Sequence, residues 1–162
     1  MKPYSILFCC TGNICRSPTA EAMLAKKAAD AGLIGRIRVD SAGTHGYHVG
    51  KPPDSRSRGA AKARGYDLSK LRARRVERED FDRFDLVLAM DQENHVFLEQ
   101  LCPPAGNGKL KLVMQYARYH RVREVPDPYA GGPAEFELVL DMLEDATAGL
   151  LQSLLDKRIV AR

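Results

Sequence analysis

The sequence predicts an α/β fold: one three-layer domain over residues 1–162, with a four-stranded parallel sheet and helices on both faces. Two observations carry this. Short apolar runs alternate with helix-length segments along the whole chain, the pattern of a parallel, doubly covered sheet. A Gly/Asn-containing loop also joins the first run directly to a helix start, where such sheets place their sites.

Tyr4–Cys9 reads as a central first strand. Ser17–Ala31 reads as a helix with Ala20, Met23, Leu24 and Ala28 on one side, ended by Gly32. Arg36–Ser41 alternates as a second strand with Ile37 and Val39 inward, and 41–53 is a Gly/Pro-punctuated loop. Asp54–Arg64 is a short basic helix closed by Gly65, and Glu77–Arg83 another short helical turn. Phe84–Met90 is an apolar third strand, after which Asp91 caps a helix ending near Leu101. Residues 103–108 are expected to be loop, Lys109–Met114 the fourth strand, and 116–132 irregular. A long helix follows Pro133, with Phe136, Val139, Leu140, Leu143, Leu150, Leu151 and Leu154 as its core stripe. Gly149 weakens that helix, so close packing is expected there.

The loop Cys10-Thr11-Gly12-Asn13-Ile14-Cys15-Arg16-Ser17 carries the chemistry. Gly12 and Asn13 tolerate positive φ, which lets successive N–H groups converge as an anion nest. The helix opening at Ser17-Pro18 adds unpaired N–H donors and a positive dipole end. Arg16 supplies a planar fork for two oxygens of a tetrahedral anion. That field favours thiolate at Cys10, which then needs no separate base to attack phosphorus. The donors replace the charge stabilisation a metal gives elsewhere, so neither metal nor cofactor is expected. Cys-x5-Arg alone is a weak signal; Gly-Asn within it and Ser-Pro after it lift the reading above a buried cysteine and an ordinary turn. No Gly-Lys-Ser/Thr follows, which disfavours nucleotide binding.

Composition is that of an ordinary globule, with 44% hydrophobic and 28% charged residues. No apolar stretch approaches the ~20 residues of a membrane span, and Tyr4–Cys10 is too short for a signal peptide. Cytoplasmic residence is therefore expected. Cys9, Cys10 and Cys15 crowd one segment while Cys102 stands apart, which fits free thiols better than a disulfide framework. Cys15 is a candidate to trap an oxidised Cys10 as a disulfide. Net charge is +4, with much of the excess between Lys51 and Arg78. Without a recognition motif this run reads as a solvated face that steers anions, not as a nucleic-acid site.

Transfer to a thiolate from an aryl phosphate expels a poor leaving group, so a donor acid is required. Asp127, held between Pro126 and Pro128, is the candidate, and Tyr129 and Tyr47 are placed to flank an aromatic ring. Taken singly, a Pro-Asp-Pro turn and two structural tyrosines would be the simpler reading.

The residues 10–17, Asp40-Ser41-Ala42-Gly43, 67–75, 85–91 and Asp127-Pro128-Tyr129 together resemble the low-molecular-weight protein-tyrosine phosphatase family, in order and over nearly the whole chain. The resemblance implies a Cys10 nucleophile forming phosphocysteine, Arg16 as phosphate clamp, and Asp127 as acid and then base. It also implies Asn13 and Ser41 as loop supports, Ser17 as donor to the departing thiolate, and Ile14, Tyr47 and Tyr129 as pocket walls. The implied partner is a phosphotyrosine protein, acted on by a monomer or weak dimer without nucleic acid or membrane. Two departures stand out: Ala130 where relatives often carry a second aromatic, and Leu71 where they often carry His. Alternatives of similar fold are a protein-arginine phosphatase, which tends to have a smaller polar residue at the place of Ile14, and an arsenate reductase, which needs more downstream cysteines than Cys102. A non-catalytic anion-binding module is the alternative from another class.

Overall fold

The structure is a computed structural model that describes residues 2–162. Four parallel strands lie in the order β2-β1-β3-β4: β1 Tyr4–Cys10, β2 Ile37–Gly43, β3 Leu86–Ala89 and β4 Leu110–Leu112. Strand β1 is internal, as its unbroken apolar run requires, and Ile6, Leu7, Phe8 and Cys9 are fully buried. Alternate residues feed opposite faces. Ile6, Phe8, Leu88 and Met90 pack under α1 (Arg16–Asp30) and α5 (Pro133–Asp156), a layer that α2 (Ser55–Ala63) completes. Leu7, Cys9, Val87 and Ala89 pack on the other face, against Phe81 of α3 (Asp80–Arg83) and Leu98 of α4 (Gln92–Leu101).

Element ends follow local chemistry. Helix α1 begins at Arg16, one residue before the predicted start, so Pro18 occupies its first turn, where no N–H is needed. It ends at Gly32 (φ +76°), and the Leu33 N–H reaches back to the Ala28 carbonyl at 2.8 Å. The expected loop at 103–108 is instead a 3₁₀ helix, Pro104–Lys109, started by a proline in its first turn. Strand β4 is shorter than expected because the chain tightens into a second 3₁₀ turn at Val113–Tyr116. Strand β3 loses its predicted ends, and α3 covers only the last part of 77–83.

In register, Cys10 lies beside Gly43 and Cys9 beside both Ala42 and Ala89. The loops after β1, β2 and β3 therefore leave the sheet at one edge, where the site forms.

Gly149 is fixed by packing: a Cβ there would fall 1.8 Å from the Tyr116 carbonyl oxygen. Gly59, inside α2, faces open space. Gly149→Ala should therefore cost about 3 kcal/mol or more in urea unfolding, whereas Gly59→Ala should gain up to about 1 kcal/mol. Equal effects would show that α5 does not press on the 3₁₀ turn as described.

Candidate active site

Thr11 to Cys15 curl between β1 and α1. The left-handed conformation the curl needs sits on Asn13 (φ +58°), not on Gly12, which keeps negative φ. Gly12 serves close approach instead: a Cβ there would stand 2.9 Å from the His48 ring. Asn13 tolerates its backbone because every polar atom of its amide is used. Its Nδ2 donates to Ser17 Oγ (2.8 Å) and Ser41 Oγ (3.0 Å), and its Oδ1 accepts from the Arg74 N–H (3.0 Å). Backbone bonds from Thr44 to the Cys10 carbonyl and from His45 to the Thr11 carbonyl tie the curl to the loop after β2.

Among the described residues, the N–H groups of Thr11, Gly12, Asn13, Ile14 and Cys15 find no acceptor within the protein. Cys10 Sγ lies 3.0 Å from Ser17 Oγ. Since that oxygen accepts from Asn13, its own hydrogen is free to point at sulfur.

Arg16 is 1% exposed, and its head is oriented from one side. Nη1 donates to Asp91 Oδ2 at 2.6 Å and to the Val125 carbonyl at 2.9 Å, and Nη2 donates to Thr11 Oγ1 at 3.4 Å. The Nε–H is buried and has no partner in the protein. Burial works against the charge, but Cys10, Asp91 and Asp127 outweigh it and raise the guanidinium above its ordinary value. Asp127 Oδ2 stands 3.7 Å from Arg16 Nη2, and its carboxylate is half exposed across the mouth. Its other oxygen accepts from the Tyr129 N–H at 3.1 Å.

These groups line one cavity of about 230 Å³, walled by Cys10, Thr11, Gly12, Ile14, Cys15, Arg16, Tyr47, His48, Asp127 and Tyr129. Every sequence-predicted residue is at the cavity or behind it. Asn13, Ser17 and Ser41 stand behind as supports. Tyr47 is 70% exposed and stacks on His45, ring centroids 5.1 Å apart. Burial lifts the Cys15 thiol to about 12 and pushes Cys9 well up, so both remain protonated at neutral pH.

With this geometry in view, the comparisons are consistent. The model of the low molecular weight phosphotyrosine protein phosphatase family matches residues 5–160. The chain belongs to that family. A Synechocystis sp. relative is 50% identical over 152 residues, 92% of this chain and 95% of its own. A Streptomyces coelicolor low molecular weight protein-tyrosine-phosphatase is 42% identical over 91% of this chain and 92% of its own. The crystal structure of a protein tyrosine phosphatase from Entamoeba histolytica with Hepes in the active site superposes with a TM-score of 0.92. It is 40% identical and covers 96% of this chain and 99% of that one.

Several residues at the site were not read as functional from sequence. The sequence marks Asp91 only as a cap. It does cap α4 through the Asn94 N–H (2.8 Å), but its second oxygen holds Arg16. His48 lines the mouth beside Tyr129, and Asn94 donates to Thr11 Oγ1 at 3.1 Å. Glu21, one turn into α1, accepts from Ser41 Oγ at 2.6 Å. Leu71 packs on the apolar core, and the polar support of the loop on that side comes from the Arg74 N–H to Asn13 and from Glu21, which accepts from Ser41.

Burial, with Asp40 nearby, lifts the Glu21 carboxyl from 4.5 to about 7 against the Ser41 bond and Arg74. A carboxyl raised on folding binds its proton more tightly in the native state, so stability falls as pH climbs between those values. The loss is at most about 3 kcal/mol by 1.36 kcal/mol per pH unit. Urea unfolding from pH 4.5 to 8 should show that decline in the wild type and a flatter curve in Glu21→Gln. Parallel curves would remove Glu21 from the account.

Proposed function

We propose that the protein hydrolyses phosphotyrosine in proteins, and small aryl phosphates, through a phosphocysteine intermediate. One observation carries the reading: the Cys10 sulfur lies in a loop whose N–H groups and buried Arg16 Nε–H have no internal acceptor, with an aspartate opposite. A dianion seated there would accept from all of them. The walls formed by Ile14, Tyr47, His48 and Tyr129 suit a flat ring above the phosphorus.

In the first step the Cys10 thiolate attacks phosphorus while the P–O bond to the phenol breaks on the far side. Asp127 gives its proton to the departing oxygen. The equatorial oxygens remain on the loop N–H groups and the Arg16 fork throughout. In the second step Asp127, now a base, takes a proton from water as that water attacks phosphorus. The S–P bond breaks, and Ser17 Oγ–H steadies the returning thiolate. The free thiols fit work in the reducing cytoplasm. There an oxidised Cys10 would condense with the buried Cys15 thiol, releasing water and sparing the nucleophile further oxidation.

Cys10→Ser should abolish turnover of p-nitrophenyl phosphate while retaining inorganic phosphate binding by calorimetry; residual turnover near wild type would dismiss Cys10 as nucleophile. Asp127→Asn should lower kcat/KM about 10²–10⁴-fold for phenyl phosphate and much less for p-nitrophenyl phosphate, whose leaving group needs no proton. Assays on phosphotyrosine, phosphoserine and phosphoarginine peptides should rank phosphotyrosine first. A preference for phosphoarginine would reassign the substrate while keeping the site.

A further inference from the structure

The acid and the nucleophile sit on loops remote in sequence, and their separation must hold within a fraction of an ångström for both steps to proceed. Besides Arg16, which reaches the Val125 carbonyl and Asp127, a second side-chain assembly connects the two loops outside the cavity. The Asp54 N–H donates to the Ile14 carbonyl of the nucleophile loop at 2.8 Å. The Asp54 carboxylate grips Arg56 at both ends of its fork, Nε to Oδ1 at 3.1 Å and Nη2 to Oδ2 at 2.9 Å. On its far side the same guanidinium donates to the Tyr129 carbonyl at 2.9 Å and to the Gly131 carbonyl at 3.5 Å. Its carbon stands 4.6 Å from the centroid of the Phe136 ring on α5 and 5.4 Å from that of Tyr129. The Arg56 guanidinium first, helped by the backbone donors of α2, outweighs the opposing effect of burial and holds the Asp54 carboxyl below its ordinary range, so the grip is ionic throughout neutral pH.

We propose that Arg56, braced by Asp54, is the positioning residue that sets the acid loop and the Tyr129 wall over Cys10. Arg56 does not line the cavity, so its effect passes through Asp127 and Tyr129. The role suits arginine specifically: two directed bonds along one edge and flat contacts with two rings need a planar fork, which lysine lacks. Because the head is partly exposed, the pair adds little to stability. A displacement of ~1 Å at a reacting group, by contrast, can cost 10²-fold in rate. The proposal rests on Asp127 being the acid.

The test compares wild type, Arg56→Ala and Arg56→Lys on aryl phosphates of graded leaving-group pKa, with inorganic phosphate inhibition measured alongside. In Arg56→Ala, kcat/KM should fall about tenfold or more for phenyl phosphate and about twofold for p-nitrophenyl phosphate, steepening the leaving-group dependence. Phosphate inhibition should stay unchanged, since the loop and Arg16 are untouched. Arg56→Lys should behave more like alanine than like wild type. A uniform loss across the series, or full rescue by lysine, would overturn the proposal in favour of simple attraction of the dianion. A wild type without aryl phosphatase activity would instead bring down the functional reading itself.

Discussion

The Asn13 carboxamide is the contact on which the site depends. A loop that aims consecutive N–H groups at one point must reverse its twist, and an L-residue resists that reversal. At Asn13 the reversal is held by three hydrogen bonds to separate parts of the fold: Ser17 at the start of α1, Ser41 on β2 and Arg74 in the segment beyond α2. Each partner is fixed elsewhere, so the kink is imposed by the packed sheet and helix, not by the loop alone. The same amide orients the Ser17 hydroxyl toward the Cys10 sulfur, so loop shape and that contact come from one side chain.

A second constraint is charge. Burying a guanidinium is costly unless it is paired and hydrogen-bonded, and Arg16 meets this through Asp91 and the Val125 carbonyl. Both partners approach Nη1, which fixes the fork while leaving Nε free. Asp91 does this as the cap of α4, so the end of β3 delivers an orienting anion in a single turn. Pairing Arg16 on all sides would have given a more neutral interior and no site for a dianion.

The parallel sheet, the central place of its first strand and the nucleophile loop are legible because each depends on local pattern: an apolar run, a glycine-asparagine turn, a helix start. That Cys10, Arg16 and Asp127 meet at one cavity is legible from the residue types that phosphate transfer would call for. What escaped were residues whose role arises from distant partners. Glu21 looks like any polar residue on an amphipathic helix, and its carboxyl is raised only because the fold buries it under β2 beside Asp40, an effect the Ser41 bond opposes. Gly12 was assigned the wrong reason, since a requirement for space beside His48 leaves the same trace in sequence as a requirement for positive φ.

The basic run from Lys51 to Arg78 contributes less field than its composition alone suggests. Most of its cations do face solvent as expected, but three of its arginines are tied to carboxylates. Arg64 meets Glu137, Asp141 and Glu144 of α5, Arg74 joins Asp40 to the buried Asp80, and Arg56 closes on Asp54. These three cations are matched by nearby carboxylates, and salt screens the field of the exposed ones over roughly 8–10 Å. The strongest attraction for a dianion comes from groups that touch it: the loop N–H donors, the start of α1 and Arg16. A site built that way selects by contact geometry more than by charge at a distance. Supports that hold geometry, Asn13 on one side and the Asp54–Arg56 assembly on the other, then matter more to turnover than the number of arginines nearby.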